Sequence, residues 1–363
     1  MEWKVSKERV QIKPHPNADK LCLIKVGQYQ AVSSLDNGYV EGQEVIVMPE
    51  KTVIHHEEMR LEEEKYLTGA KRNRVKTVEL RGEISQCATY PVNKLRELYD
   101  DRTVDLVESA ECGVDLSELL GMSKYIVPIP VELAGQVGRI ADGVITVKHD
   151  AVQFGVYKDE FAPDEEVIVT EKLHGSQLNY TYSRINGVVT ETVASKGIME
   201  NGLSIKESDS NTYWQAVRNS KIHERVEDYI ADIAKNSSVD VNVSVIGEVV
   251  PVQKGYSYGF DRPTMLVFSV WLQGVLGFTF MEDRKKECFG DVWVPVLFEG
   301  KLSDINPYEL CKGKEQVSGR ELHIREGIVI SPKVMRRAAD GTKLFLKVIN
   351  PAYAKKDKGE DFS

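Results

Sequence analysis

A lysine that closes a hydrophobic strand needs a reason to be there. In Val167-Ile168-Val169-Thr170-Glu171-Lys172-Leu173-His174-Gly175-Ser176, a β-branched run ends in an acid and a lysine and passes into a His-Gly-Ser turn. The glycine lets a ligand approach the backbone. A lysine so placed can lose its proton and attack an electrophile when neighbouring cations or a metal favour the neutral amine. Schiff bases use the same residue, so this segment alone leaves the reaction open. Five later segments each carry something a plain strand does not need. Ser195-Lys196-Gly197 puts a cation and a glycine at a strand end, and Val245-Ile246-Gly247-Glu248-Val249 sets an acid inside a β run. Phe268 lies within Val267-Phe268-Ser269-Val270. Arg325-Glu326-Gly327-Ile328-Val329-Ile330 places an acid before a hydrophobic strand, and Leu344-Phe345-Leu346-Lys347-Val348-Ile349 isolates a lysine among apolar residues. A charge within an apolar strand is costly unless partnered. Several together point to lysines and carboxylates meeting around a phosphate and a metal.

The elements that must position these residues follow from periodicity. Strands are expected over 167–172, 178–182, 188–195, 241–250, 265–271, 327–330 and 344–348. Between them, 212–235 reads as one helix capped by Asn211, with Trp214, Val217, Val226, Ile230 and Ile233 as its core stripe. The first hundred residues read instead as short strands with turn punctuation. Segments 10–13 and 21–26 bracket the turn His15-Pro16-Asn17-Ala18-Asp19, Asn37-Gly38 marks a tight turn, and 42–48 is another strand. An acidic helix is expected over 57–65, a basic strand over 74–81, and short helices over 94–99 and 115–120. Many short strands without helical repeats suggest a small β-barrel. The basic strand, with Arg74, Lys76 and Arg81, is either a charged edge or a track for a phosphate backbone. Prolines in 121–130 place a domain boundary near Gly121.

At 363 residues the chain has room for two cores, and its 42% hydrophobic and 28% charged content fits a globular, cytoplasmic protein. No apolar run reaches membrane-spanning length, so no membrane partner is expected. Five scattered cysteines lack zinc or disulfide spacing. A net charge of −9 argues against wholesale nucleic-acid binding but leaves room for a local basic track.

Taken in order, the charged segments resemble the motifs of covalent nucleotidyltransferases, the superfamily of DNA ligases, RNA ligases and mRNA-capping enzymes. DNA ligases and capping enzymes usually carry Lys-x-Asp-Gly-x-Arg, where this chain has Lys172-Leu173-His174-Gly175-Ser176-Gln177. The histidine resembles RNA ligases of the editing type. His15-Pro16-Asn17-Ala18-Asp19-Lys20-Leu21 looks like the opening of tRNA-binding OB domains. With the segment from Arg74 to Gln86 and Gly121-Met122-Ser123-Lys124-Tyr125, it resembles the ATP-dependent RNA ligases whose OB domain precedes the transferase domain. The resemblance spans most of the chain, from about His15 to Tyr353.

The resemblance implies an α+β chain: an OB-fold RNA-binding domain over 1–120, then a mixed α/β nucleotidyltransferase domain over 121–363, ATP-grasp-like and built on antiparallel sheets. It implies a monomer that uses ATP with Mg2+ or Mn2+ to join RNA 3′-hydroxyl and 5′-phosphate ends, at nicks or free ends. Lys172 would be the nucleophile. Glu171 and the backbone of Leu173 would line the adenine side, with Phe268 stacking on the base and Ile328 as the opposite wall. Lys196 would contact the nucleotide, although arginine is more usual there. Glu248 would hold the ribose or a metal-bound water, Glu326 the metal, and Lys347 the phosphate. His174 and Gln177 would serve the later steps, and Arg74, Lys76 and Arg81 the RNA. Within the class, a DNA ligase or capping-type enzyme is the alternative. From another class, the alternative is a non-catalytic RNA-binding protein.

Overall fold

In a computed structural model, residues 3–62, 67–126, 128, 129, 133, 135–234, 240–274, 277–279, 287–338 and 341–354 are described. The chain separates into two compact units. One comprises Met1–Val127 with Gly155–Lys158 and Arg337–Lys343; the other comprises Pro128–Phe154, Asp159–Arg336 and Leu344–Ser363.

The first unit is built on five antiparallel strands: β1 (Ser6–Pro14), β2 (Leu21–Val26), β3 (Tyr29–Ser34), β4 (Glu44–Pro49) and β5 (Cys87–Pro91), in spatial order β5-β4-β1-β2-β3. Alternation points Val10, Ile24, Val26, Val45 and Val47 into one interior. The free edge of β3 is tied back to the segment before β5. There Gln86 N–H donates to the Gln30 carbonyl at 2.8 Å and Val32 N–H to Ser85 Oγ at 3.1 Å, so the sheet nearly closes on itself. Helix α1 (Asp101–Ser109) is capped by Asp100, which accepts from Thr103 N–H, and buries Val104 and Val107 against Ile46 and Met48. Two short returns of the chain complete this unit: the Tyr157 hydroxyl donates to the Gln28 carbonyl at 2.8 Å and lies 3.3 Å from Thr342 Oγ1.

Several expectations for this unit need correction. The segment 115–120 forms turns, and the helix lies earlier, where Asp100 supplies the cap. Residues 92–97 form a 3-10 helix, and of the acidic segment Glu57–Glu62 is helical, residues 63–65 lying outside the described set. The basic run 74–81 is not one strand. Arg74–Val75 pairs with Thr52–Val53 and Leu67–Thr68, whereas Val78–Leu80 forms a separate hairpin with Glu83–Ser85. His15 and Asn17 brace that hairpin, His15 Nε2 lying 3.1 Å from the Leu80 carbonyl and Asn17 Nδ2 donating to the Arg81 carbonyl at 3.0 Å.

In the second unit, a seven-stranded sheet contains β7 (Ser176–Ile185), β8 (Val188–Ser195), β9 (Val241–Val250) and β10 (Thr264–Gly274), in the local order β8-β7-β9-β10. A five-stranded sheet contains β6 (Glu166–Lys172), β11 (Val296–Lys301), β12 (Gly327–Pro332) and β13 (Leu346–Ile349), in the local order β13-β12-β6-β11. One face of the larger sheet packs Leu178, Tyr180, Val243, Val245 and Met265 against helices α2 (Thr212–Asn219) and α3 (Ile222–Ala234), which bury Trp214, Val217, Val226 and Ile230. The single helix expected over 212–235 is thus two, and Lys235 lies outside the described residues. The break is at Ser220-Lys221, where Lys221 takes φ +51°. Ser220 Oγ bonds both N–H and C=O of Met265 on β10, at 2.8 and 3.1 Å, so the turn is sewn to the sheet.

Phe268 sits on a β-bulge. Ile246 pairs with Ser269 but Gly247 pairs with Val267, leaving Phe268 as the extra residue. The bulge switches the alternation of β10: Met265 and Val267 face the helices before it, Val270 and Leu272 after it.

Trp214 is 5% exposed and its Nε1 donates to the Ile205 carbonyl at 3.0 Å. Trp214→Ala is expected to lower unfolding free energy by about 3–5 kcal/mol, the cost of emptying an aromatic core site. Urea denaturation measures this, and a loss below about 1 kcal/mol would mean the site collapses around the gap.

Candidate functional site

A cavity of about 470 Å³ lies within the second unit, walled by residues of both its sheets. From β6 it takes Ile168, Thr170 and Lys172, alternate residues on one strand face. Register carries that face across the sheet, because Thr170 lies opposite Val329 and Ile168 opposite Ser331 on β12, both also on the wall. The larger sheet contributes Gln177, Glu248 and the bulged Phe268. Phe345, Trp293 and Val294 extend the apolar part.

The Lys172 ammonium meets Glu326 Oε1 at 2.6 Å, linking positions 154 residues apart. Glu326 Oε2 is buried and has no hydrogen-bond partner. Glu248 Oε1 accepts from Gly175 N–H at 3.0 Å. Burial, reinforced by the charge of Glu326, pushes the Glu248 carboxyl up to about 7, although Lys172 and the Gly175 N–H work the other way. A lysine in contact with a carboxylate can hand over its proton and present a neutral amine. Among the described residues no three His, Cys, Asp or Glu side chains gather for a metal. Two carboxylates, one with an orphaned oxygen, fit the donor set of a hydrated Mg2+ or Mn2+, which keeps several waters and takes one or two protein carboxylates.

Glu171 contributes to the wall, yet its carboxylate is fully buried behind the strand. Its Oε2 accepts from Gln316 N–H at 2.8 Å and lies 4.0 Å from Arg325 Nε; its Oε1 has no hydrogen-bond partner. Arg325 in turn donates to the Leu310 and Lys314 carbonyls, each at 3.0 Å. Burial raises the Glu171 carboxyl to about 7 against the opposing pull of the Gln316 N–H and Arg325.

Leu173 lines the cavity. Gln177 does too, opposite Glu248 in the strand register, and its Nε2 donates to the His149 carbonyl at 3.4 Å. Ile328 does not: it is fully buried on the other face of β12, paired with Glu171, and Val329 takes the wall position. A one-residue difference on a strand is a change of face. Lys196 is likewise off the wall. It is ion-paired with Asp150, which also meets Lys148 at 3.4 Å, and these lysines outweigh burial to hold Asp150 at about 2. The pair fixes the loop whose His149 and Ala151 line the cavity. Lys347 lies opposite the wall residue Val329 and so shares its strand face, although it is not itself among the lining residues. His174 stands beside the cavity, its N–H donating to the Tyr258 hydroxyl at 2.7 Å. Arg74, Lys76 and Arg81 belong to the first unit; Lys76 and Arg81 are exposed, and Arg74 stacks on Tyr125 at 4.0 Å.

Sequence reasoning missed His149, Trp293 and Phe345 as wall residues and Arg325 and Gln316 as partners of Glu171. For Arg325 a signal existed, since a cation directly before Glu326 at the start of an apolar strand also needs a buried acid. His149 packs against Phe268 and Phe345, with ring centroids at 5.0 and 4.3 Å, and nothing in Val147-Lys148-His149-Asp150 announces it.

A protein-family model described as RNA ligase matches residues 165–349, a little over half of the 363 residues. No curated protein matches the chain. Among solved structures, the fold is similar to an RNA ligase of Naegleria gruberi with PPi, at a TM-score of 0.63 and 19% identity, covering 99% of this chain and 100% of that one. A mutant of that ligase with ATP and Mn matches at a TM-score of 0.62 and 18% identity, over 98% and 100% of the two chains. Another mutant, with AMP and Mn, matches at 0.62 and 19%, over 98% and 99%. At such identities the likeness is one of fold: mixed α/β, rich in sheet, with a barrel-like sheet at its N-terminal end.

The burial of Glu171 has a measurable consequence. Its folded-state carboxyl titrates near 7 against an ordinary 4.5, so the folded protein holds that proton more tightly than the unfolded chain. The resulting stabilisation is complete below the ordinary value and is lost as pH rises through about 7. Glu171→Gln is therefore expected to lose less stability than the parent between pH 5 and pH 8, by roughly 2–3 kcal/mol. Urea unfolding at intervals across that range tests this, and parallel curves for the two proteins would refute it.

Proposed function

The chain belongs to the RNA ligase family, and we propose that it is an ATP-dependent RNA ligase sealing 3′-hydroxyl and 5′-phosphate ends at nicks, through lysyl-AMP and RNA-adenylate intermediates. One observation carries this reading: Lys172, the one lysine on the cavity wall among the described residues, is in direct contact with the carboxylate of Glu326.

In the first step the neutral Lys172 amine attacks the α-phosphorus of ATP. A P–N bond forms, the bond to the β-phosphate oxygen breaks, and pyrophosphate leaves. Glu326 faces the Lys172 Nζ that must give up its proton. In the second step a 5′-phosphate oxygen of RNA attacks the phosphorus of lysyl-AMP, the P–N bond breaks, and the lysine nitrogen regains a proton. In the third step the RNA 3′-hydroxyl attacks that 5′-phosphorus and AMP departs. Phe268 and the apolar wall suit a stacked base, a contact worth about 1–3 kcal/mol. Lys347, on the strand face that carries Val329, is the further cation for the phosphates.

Glu326 and Glu248 are the residues to hold Mg2+ or Mn2+; such a cation favours the neutral amine and offsets charge on the α-phosphate when bound. The barrel-like sheet of the first unit supports an OB-fold RNA-binding domain over 1–120, ahead of a nucleotidyltransferase domain over 121–363. The exposed Lys76 and Arg81, near and on the braced hairpin, are its candidates for phosphate contact.

Incubation with α-labelled ATP and Mg2+ or Mn2+ is expected to leave label covalently on the protein, and Lys172→Ala to abolish it. Label that persists in Lys172→Ala, or never appears in the parent, defeats the mechanism. Glu326→Ala is expected to label at least about 100-fold more slowly while remaining folded. Wild-type labelling by that variant would remove Glu326 from the reaction.

A further inference from the structure

The strand β13 ends at Ile349, and the turn that follows touches both sides of the candidate site. Asn350 is buried: its N–H donates to the Glu326 carbonyl at 2.9 Å and its Nδ2 to the Arg325 carbonyl at 3.0 Å. Its Oδ1 accepts from Ala352 N–H at 3.0 Å and its carbonyl from Ala354 N–H at 3.1 Å, so it caps a single helical turn. Three residues past that anchor, Tyr353 is 7% exposed and its hydroxyl lies 3.1 Å from His174 Nδ1. The His174 ring is also held edge-on by Tyr256 and Tyr353, with centroids at 4.7 and 5.3 Å. Its backbone is pinned to Tyr258 on the other side of the turn. Orientation and hydrogen bonding of this imidazole are thus set in part by a residue 179 positions away in sequence.

We infer that Tyr353 is the positioning residue that fixes the ring and the tautomer of His174 for transfer of AMP to RNA. This rests on the reading above that His174 serves the steps after adenylylation. An imidazole nitrogen is a better acceptor than a phenolic oxygen, so the Tyr353 O–H donates to Nδ1 and the neutral ring carries its proton on Nε2. Nε2–H is then a donor suited to a phosphate oxygen as the 5′-phosphate displaces Lys172 from phosphorus. Asn350 couples the arrangement to Glu326, so the same turn that supports the lysine's carboxylate partner also aims the histidine.

The test separates the two halves of the reaction. Tyr353→Phe keeps the ring and its packing and removes only the hydroxyl. Self-adenylylation with ATP is expected at the parent rate, while AMP transfer from pre-adenylylated protein to a nicked duplex with an RNA 5′-phosphate falls about tenfold. In the His174→Ala background, Tyr353→Phe is expected to add no further loss. Equal loss in both half-reactions, parent-rate transfer, or additive effects in the double variant would overturn the inference. Because a variant can fail to fold, nitrogen-15 NMR of the parent supplies an independent reading. The His174 ring is expected to show a protonated Nε2 and an unprotonated Nδ1, and the reverse would overturn the inference. If the parent takes no label from ATP, the ligase reading falls and this inference with it. Labelling with any of the failures above leaves that reading intact and removes Tyr353 alone.

Discussion

The contact between Lys172 and Glu326 is the constraint around which the second unit is arranged, and it does not stand alone. The residues immediately before each partner form a second pair of opposite sense: Glu171 on β6 faces Arg325 behind the strand, as Lys172 faces Glu326 at the cavity. Alternation along β6 points Glu171 and Lys172 to opposite faces, so each meets a different one of the two adjacent residues just before β12. One pair is closely joined at 2.6 Å, with its Lys172 on the wall; the other is looser at 4.0 Å, with a backbone N–H as its closer partner. Removing one member of either pair leaves a charge in a dry environment, where it is expensive. The two pairs therefore hold each other's register as well as their own.

Close backbone contacts make that register strict. A Cβ at Gly327, opposite Lys172 in the strand pairing, would lie 2.2 Å from the Val348 carbonyl oxygen. One at Gly175 would lie 2.3 Å from the Val249 carbonyl oxygen. These glycines are needed for the close approach of backbone rather than for unusual φ values. Beside them the bulge at Phe268 turns an otherwise continuous strand so that one side serves the helical core and the other the cavity. The result is a cavity lined by the polar Lys172, Glu248, Glu299 and Gln177 together with the apolar Ile168, Val329, Phe345 and Trp293.

What was legible in the sequence was the set of oddities local to each strand. Lys172 and Glu248 each read as out of place within an apolar run, Phe268 was singled out only through the family resemblance, and all three line one cavity. The strands expected for the second unit were read within a few residues, 188–195 and 241–250 at both ends, whereas Val296–Lys301 was not expected. What could not be read was which residue faces which. Ile328 and Val329 are equally good wall residues by type, and only the pairing of Thr170 with Val329 decides between them. Lys196 has the composition of a ligand contact, but its charge is met by Asp150, a neighbour that no local pattern supplies. The split at Ser220 depends on a hydroxyl bonding to a strand 45 residues away, which helical periodicity cannot register.

Charge on the cavity wall bears on the reading proposed above. Among the described residues, the wall carries the carboxyls of Glu248 and Glu299 and the ammonium of Lys172, while the Glu171 carboxyl is buried behind it. A nucleoside triphosphate brought to such a wall meets repulsion, and two features relieve it. Burial holds both Glu171 and Glu248 near 7, so that each is partly neutral at neutral pH. Glu326 and Glu248 offer oxygens to a divalent cation, one of them an otherwise unpartnered Glu326 oxygen. The second unit thus presents to an anionic substrate a site whose acids are muted by burial, available to a counter-ion or, for Glu299, ion-paired with Lys333. Without that cation the Lys172 charge is already engaged by Glu326, and little positive potential is left on the wall to hold phosphates in place.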